Sequence, residues 1–241
     1  MQATDFEFRH RFWFIGAIFG VAFWLYAVDP VNTAVFLVRS LGRPDEAVRA
    51  VFALATLLLT AAALLRTWAT AWLNTEVVHD DALHAEGMVA DGPYRYVRNP
   101  LYLALWLLAA GMGLVASRLG FVVLVFGMLA FILRLIGREE AQLSATQGEP
   151  YRRFCAAVPR LFPSPTPRLP ASGARARWGQ AWAGEAYFWG FVLAMAMLTL
   201  TLNATWSYGI SGVSLVLYAL LMPVWRARLA ASNARERAAG R

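Results

Sequence analysis

The sequence is poor in residue types on which many soluble proteins depend. It has no lysine, one cysteine (Cys155) and three histidines, and only 15% of its 241 residues are charged. A single cysteine excludes a disulfide framework and a cluster of thiolate metal ligands, and the histidines at 10, 79 and 84 are too scattered to predict a metal site. Because soluble domains carry about 25% charged residues, this composition argues against an ordinary cytosolic enzyme.

The chain is instead rich in apolar residues. Hydrophobic residues make up 59% of it, and the mean hydropathy is +0.48. Six apolar stretches are each 16–19 residues long, near the lower limit for crossing about 30 Å of hydrocarbon as a helix. They are residues 12–28, 50–65, 101–117, 119–136, 186–202 and 207–225. We therefore predict an all-α, polytopic membrane helical bundle with about six transmembrane helices.

The arginines predict the orientation of this bundle. With six spans both termini lie on one side, and that side receives 16 of the 22 arginines, whereas the opposite side receives four. The positive-inside rule then places the termini and the two long polar loops, 74–100 and 137–185, in the cytoplasm. Topology thus explains the net charge of +7 without a nucleic-acid partner. The lysine-free composition favours a bacterial over a eukaryotic setting, so we expect the bacterial inner membrane.

The first polar loop and the start of the next apolar stretch carry a compact cluster at residues 87–102. A glycine-proline turn signal at 92–93 is followed by Pro100, which suits the first turn of a helix. Three side chains surround the predicted helix start: Tyr94, Arg98 and Tyr102. Free backbone N–H groups at a helix start favour an anionic ligand group. The same residues also fit an interfacial aromatic belt with a positive-inside arginine.

The second cluster follows the fourth apolar stretch. No helix breaker occurs before Gly148, so this helix is expected to continue beyond the membrane surface and to carry Arg134, Arg138 and Glu139 near its cytoplasmic end. Ionisable residues at that depth indicate a functional site. The alternative is a solvated helix face with Glu–Arg pairs one turn apart. Glu139 and Glu140 are adjacent and cannot share a face, so that alternative does not account for both.

Together the two clusters resemble a known family. Gly-x-Tyr-x-x-x-Arg-(His/Asn)-Pro-x-Tyr, followed some forty residues later by Glu-Glu-x-x-Leu, Gly-x-x-Tyr and Val-Pro, is similar to the isoprenylcysteine carboxyl methyltransferase and phospholipid methyltransferase family over residues 88–163. The resemblance implies an integral membrane methyltransferase that uses S-adenosylmethionine. It also implies cytosolic cofactor-binding loops and a lipid-facing tunnel for the acceptor.

The resemblance also implies roles for particular residues. Glu139 would bind the α-ammonium group of the cofactor, and Arg98 and Glu140 would be catalytic. An amine acceptor must lose a proton, and Glu86, Glu140 or His84 could accept it. Arg98, Arg134 and Arg138 would orient an anionic acceptor or head group. The cofactor-binding set would be Glu86, Met88, Val89, Tyr94, Asn99, Pro100, Leu101, Tyr102 and Glu139. Two positions depart from the family pattern, because Asn99 and Glu86 stand where the family has histidine. His84, two residues before Glu86, is a possible substitute or an ordinary loop residue.

The domain organisation follows from the same patterns. Residues 1–163 form a predicted four-span methyltransferase core with family motifs at 86–163, residues 164–185 a cytosolic linker, and residues 186–241 a two-span C-terminal appendage outside the resemblance. We expect the acceptor to be lipidic or a small hydrophobic amine, carboxylate or thiol, and the partner to be the lipid bilayer. No pattern predicts an oligomeric state.

Two other functions stay open at the level of sequence. One is an NADPH-dependent membrane lipid or sterol reductase, to which Arg153-Phe154-Cys155 gives a slight similarity, although no glycine-rich phosphate cradle is visible. The other is a non-enzymatic membrane scaffold with the C-terminal helices as its interaction module.

Overall fold

The structure is a computed structural model that describes residues 2–73, 91–173 and 175–239. In these ranges the chain is helical, and its one isolated β-bridge joins Asn32 to Ser117. The helices are α1 (Asp5–Arg9), α2 (Arg11–Trp24), α3 (Thr33–Ser40), α4 (Val48–Trp72), α5 (Pro100–Gly113), α6 (Arg118–Val122), α7 (Met128–Gln147), α8 (Glu149–Ala157), α9 (Trp178–Gly184), α10 (Ala186–Thr201) and α11 (Ala204–Ala239). The prediction of an all-α fold is confirmed.

Local sequence signals explain where several helices begin. Thr4 forms a capping box with Glu7 at α1, and the Asn32 side chain accepts hydrogen bonds from the first backbone N–H groups of α3. Pro100 occupies the first turn of α5, where its missing N–H has no intrahelical partner to lose. Between α6 and α7, Val123–Gly127 has π-helical hydrogen bonding, so one continuous helix runs over Arg118–Gln147. It ends before Gly148, as predicted.

The lengths of the apolar helices identify an integral membrane protein. Three are long and apolar enough to cross a bilayer: Asp45–Trp72, Arg118–Gln147 and Ala204–Leu221. A fourth candidate is the pair α9 and α10, bent by 58° at the break between them. The remaining two apolar helices are shorter, Arg11–Ala27 and Pro100–Gly113. The described chain therefore has three or four candidate spans by length, and the predicted count of six stays a prediction.

The centre of the bundle is formed by α4, α5 and α10. Ala55, Leu59 and Leu108 are buried in one apolar core, and α5 can approach α4 closely at Gly111, where an added Cβ would overlap the Leu59 side chain. Phe188, Val192 and Met195 of α10 are buried in this same core, and α11 packs on α10. Helix α10 therefore packs directly against helices that precede the predicted linker, and α11 packs on α10.

The predicted linker is held to the first polar loop by hydrogen bonds. The backbone N–H groups of Ser164 and Arg168 donate to Tyr96 O (3.0 Å) and Arg95 O (2.8 Å). Farther along, the N–H of Arg177 donates to Ala71 O at the end of α4 (2.7 Å). Residues 178–184 then form α9, which lies against α4. This segment thus positions the loop that carries the first motif.

Candidate functional site

A short 3₁₀ turn at Gly92–Arg95 places Tyr94 beside the end of α4. Gly92 has φ +57°, and an added Cβ there would overlap the Trp72 indole, so only glycine lets the turn approach α4 this closely. On the other side, Asp91 is buried and accepts hydrogen bonds from the backbone N–H (2.9 Å) and hydroxyl of Ser172. The turn is therefore held from two directions.

Tyr94 is buried within this turn and lies in the electrostatic field of three ionisable groups. Burial raises the pKa of its hydroxyl; the Arg66 cation opposes this shift, and the carboxylates of Glu139 and Glu185 add to it. The phenol consequently stays protonated and offers a neutral aromatic ring and a hydrogen-bond donor. The three neighbours come from α4, α7 and the α9–α10 junction, so Tyr94 marks the place where these elements meet.

The first and second motifs meet where α5 begins. The backbone N–H of Arg98 donates to Pro159 O (2.8 Å), and the Asn99 side-chain amide donates to Arg160 O (2.9 Å). Asn99 Nδ2 also lies 3.5 Å from Glu140 Oε1. The segment after α8 thereby fixes the first two residues of the predicted Arg-Asn-Pro turn. Pro100 is buried and Leu101 is half-buried in the first turn of α5.

The two adjacent glutamates of α7 face different partners, as expected from their positions on the helix. Glu139 accepts a hydrogen bond from the Tyr102 hydroxyl (2.8 Å). Glu140 forms ion pairs with Arg98 (3.3 Å) and Arg160 (2.9 Å). Arg98 is largely buried, and its Nε has no hydrogen-bond partner among the described residues. Among the described residues, one carboxylate thus has a single neutral hydrogen-bond donor, while the other forms ion pairs with two arginines.

Arg134 and Arg138, predicted to orient the acceptor, contact the N-terminal helix. Arg134 donates two hydrogen bonds to the Glu7 carboxylate (2.7 and 2.9 Å), and Arg138 forms an ion pair with Asp5. The N–H of Ala3 donates to Arg134 O (2.9 Å), which adds a backbone link. These contacts give both arginines a role in anchoring α1 on α7, and their role toward an acceptor stays a prediction.

Four residues of the predicted site lie outside the described part of the chain. They are His84, Glu86, Met88 and Val89. The predicted residues that the structure brings together are Tyr94, Arg98, Asn99, Pro100, Leu101, Tyr102, Glu139 and Glu140.

Sequence reasoning missed a buried ion pair beside Tyr94. Glu185, at the junction of α9 and α10, has 5% relative exposure and forms an ion pair with Arg66 of α4. Thr70, one turn farther along α4, donates a hydrogen bond to Glu185 (2.8 Å), and the Arg66 guanidinium lies over the Phe188 ring at 4.7 Å. An arginine near the end of an apolar run was the available signal. No sequence pattern indicated its partner Glu185, which lies 119 residues farther along the chain.

This arrangement can bind a zwitterionic ligand next to aromatic rings. A buried carboxylate suits an ammonium group, an unpaired arginine N–H suits a carboxylate, and tyrosine faces attract a cation such as a sulfonium. Glu139, Arg98, Tyr94 and Tyr102 supply these groups within one region of the fold.

Comparison with known proteins identifies the family to which this region is similar. Residues 48–149 match the family model of phospholipid methyltransferases. The matched segment contains α4, the Tyr94 turn, α5 and α7. It thus includes both glutamates, together with Tyr102 and Arg98. The match confirms the predicted resemblance over this segment, which is less than half of the chain. Neither a curated protein nor a solved structure matches the chain.

Proposed function

We propose that this protein is an integral membrane methyltransferase that transfers a methyl group from S-adenosylmethionine to a lipidic or small hydrophobic amine, carboxylate or thiol. The observation that carries the proposal is the meeting of Tyr102 with Glu139, and of Arg98 with Glu140, inside the segment that matches the methyltransferase family. Two motifs about forty residues apart thus form one polar cluster at the end of an apolar bundle.

The charged and aromatic side chains of the site suit S-adenosylmethionine. Glu139 would bind its α-ammonium group, and the unpartnered Nε of Arg98 would donate to its carboxylate. Tyr94 and Tyr102 would face the sulfonium. Asn99, Pro100 and Leu101 would border the remaining part of the cofactor. We also assign Glu86, Met88 and Val89 to this site on the family resemblance alone.

Bound S-adenosylmethionine supplies an electrophilic methyl group, so the protein's main task is to orient the acceptor and exclude water. The buried Tyr94 turn and the apolar α4–α5 core provide a water-poor surround. Glu140, which pairs with Arg98 and Arg160, would accept the proton that an amine acceptor must lose. A carboxylate or thiolate acceptor needs no base, and Arg98 would then balance its charge.

We further propose that all six apolar helices cross the membrane, with the termini and the site on the cytoplasmic side of a bacterial inner membrane. The arginine distribution supports this orientation. Residues 1–163 would be the methyltransferase core, and the region from 186 onward would complete the bundle against α4.

Calorimetry on the purified, detergent-solubilised protein tests the cofactor. We expect S-adenosylhomocysteine to bind and NADPH not to bind. Glu139→Gln should abolish both this binding and turnover while leaving the protein folded, and Arg98→Ala should abolish turnover. The matched control is Glu149→Gln, since Glu149 on α8 is exposed and pairs with Arg152 and Arg153.

Two results would overturn the proposal. Binding of NADPH in place of S-adenosylhomocysteine would indicate a reductase. Undiminished binding and turnover in Glu139→Gln would remove the principal cofactor contact.

A further inference from the structure

A cavity of about 490 Å³ lies at the opposite end of the bundle from the candidate site. It is a partly open cavity, formed where the end of α2, helix α3, the start of α4, the end of α5 and the α10–α11 hairpin come together. Its lining is mainly aliphatic and aromatic, including Phe23, Phe52, Met112, Phe191, Met195 and Leu198. A volume of this size is in the range of ligand sites, roughly 300–1,000 Å³.

The cavity is separate from the polar cluster. Phe52 lines it, and Arg66 on the same helix lies beside Tyr94. These residues are 14 positions apart on α4, which corresponds to about 21 Å at 1.5 Å per residue. A molecule held at this end therefore does not occupy the position proposed for the cofactor.

Helix α11 forms one wall of the cavity and lies at the outside of the protein. Ala204, Ser207 and Ser211 line the cavity, and they belong to the candidate span Ala204–Leu221, of which no residue is buried. In a membrane this face contacts lipid chains. Most of the lining surface is apolar, and water beside it would lack hydrogen-bond partners. The adjoining material that can fill such a space is therefore an alkyl chain.

The cavity also has a polar rim, which suits an amphiphile better than a plain hydrocarbon. Arg39 and Asp45 line it and form an exposed ion pair through two contacts of 3.1 Å. A zwitterionic head group carries one positive and one negative charge, so it can form ion pairs with both residues. Deeper in, the Asn32 amide donates to the Tyr26 hydroxyl (2.9 Å), and Tyr26 donates to Val115 O (2.6 Å). These bonds fix the polar side of the wall.

We propose that this cavity binds one acyl chain of a zwitterionic membrane phospholipid, from the leaflet opposite to the candidate site, with its head group at Arg39 and Asp45. The C-terminal helices thereby gain a role, because the α10–α11 hairpin forms one wall of the cavity. The inference rests on the cavity and its surroundings and does not depend on the identity of the methyl donor.

The test uses the full chain in nanodiscs containing phosphatidylcholine with a photoreactive diazirine at the end of one acyl chain. After illumination, adducts are located by peptide mass spectrometry. We expect them to concentrate on cavity-lining residues of α4 and α10, such as Phe52, Met195 and Leu198. These belong to the helices that pack in the centre of the bundle rather than on its outer face.

Matched tryptophan variants separate binding in the cavity from general contact with lipid. Ser211→Trp and Val35→Trp project into the cavity from α11 and α3, whereas Val213→Trp and Leu37→Trp lie on the exposed faces of the same helices. The cavity variants should reduce labelling of the lining by roughly five-fold or more, because an indole fills much of the space a chain needs. The surface variants should leave it unchanged.

Melting temperature and S-adenosylhomocysteine affinity are measured for all four variants, and only variants that melt as the parent does are interpreted. Two cavity-filling variants from different helices keep the test decisive if one of them does not fold. Labelling spread evenly over the exposed face of α11, or equal labelling in cavity and surface variants, would overturn the proposal. Loss of cofactor binding in every protein, including the parent, would contradict the proposed function and leave the lipid result intact.

Discussion

The hydroxyl of Tyr102 donates a 2.8 Å hydrogen bond to Oε1 of Glu139, which lies on a different helix and 37 residues later. Tyr102 is in the first turn of α5, and Glu139 is near the middle of α7. This bond joins the two motifs that resemble the methyltransferase family. It also orients a partly buried carboxylate toward the region proposed for the cofactor.

Replacing Tyr102 with phenylalanine removes this bond and keeps the ring. We expect Tyr102→Phe to weaken S-adenosylhomocysteine binding about ten-fold, because a hydrogen bond to a charged group contributes roughly 1.5–3 kcal/mol. Tyr96→Phe is the control in the same loop, since the Tyr96 ring packs against Trp68. Calorimetry measures both variants, and equal affinities would show that the Tyr102 hydroxyl does not orient Glu139 for binding.

Gly92 permits the close approach of the Tyr94 turn to α4. Gly92→Ala should lower cofactor affinity and the melting temperature, because the new methyl group would overlap the Trp72 ring and the backbone has φ +57°. Gly42→Ala separates the two effects: φ is +63° there, but no atom lies within 4 Å of the added Cβ. It should show only the strain of a left-handed residue, about 1–2 kcal/mol. Equal losses of melting temperature and cofactor affinity in both variants would show that overlap with Trp72 is not the cause.

The Arg66–Glu185 ion pair connects α4 with the start of α10. Glu185→Gln and Arg66→Met should each lower the melting temperature by roughly 5–15 °C, since removing one partner leaves a buried charge unpaired. The double variant should recover much of this loss, because neither charge is then left alone.

The exposed ion pair between Arg39 and Asp45 provides the control for the Arg66 and Glu185 variants. Asp45→Asn should lower the melting temperature only slightly, as exposed pairs contribute about 0–1 kcal/mol. Additive losses in the Arg66/Glu185 double variant, measured by thermal unfolding in detergent, would show that the two residues stabilise the protein independently.

Acidification should release α1 from α7. The hydrogen bond from the Thr4 backbone N–H, together with the Arg134 guanidinium, lowers the pKa of Glu7 from 4.5 to about 2. Because the folded pKa is the lower one, the pair contributes fully above pH 4.5 and is lost as the pH falls toward about 2. Hydrogen exchange of residues 2–10, corrected for the intrinsic pH dependence, should accelerate over this interval.

Glu7→Gln provides the comparison for the acid effect. Its exchange in residues 2–10 should already be fast at pH 6, and correction for intrinsic rates should leave little dependence on pH. A pH-dependent acceleration of the same size in Glu7→Gln would assign the effect to a different group.

Much of the fold and part of the site could be predicted from sequence because the relevant signals are local. The apolar runs indicated the helices, Pro100 the start of α5, and Gly148 the end of α7. The two motifs predicted that the residues around Asn99 would meet Glu139 and Glu140, and they do. The number of helices that cross the bilayer could not be settled in this way, because α5 is only 14 residues long and α9 and α10 meet at a bend.

By itself the sequence determined that this is a helical membrane protein with two polar motifs next to its apolar stretches, since composition and the spacing of residues along one chain carry that information. Only the tertiary structure decided the partners of its charges. Arg134 pairs with Glu7, and Arg66 with Glu185, across 127 and 119 residues. An arginine near the end of an apolar helix must find a counter-charge, because an unpaired ion is costly there, but several carboxylates could meet that need. The packing of α1 on α7 and of α10 on α4 brings one of them within reach.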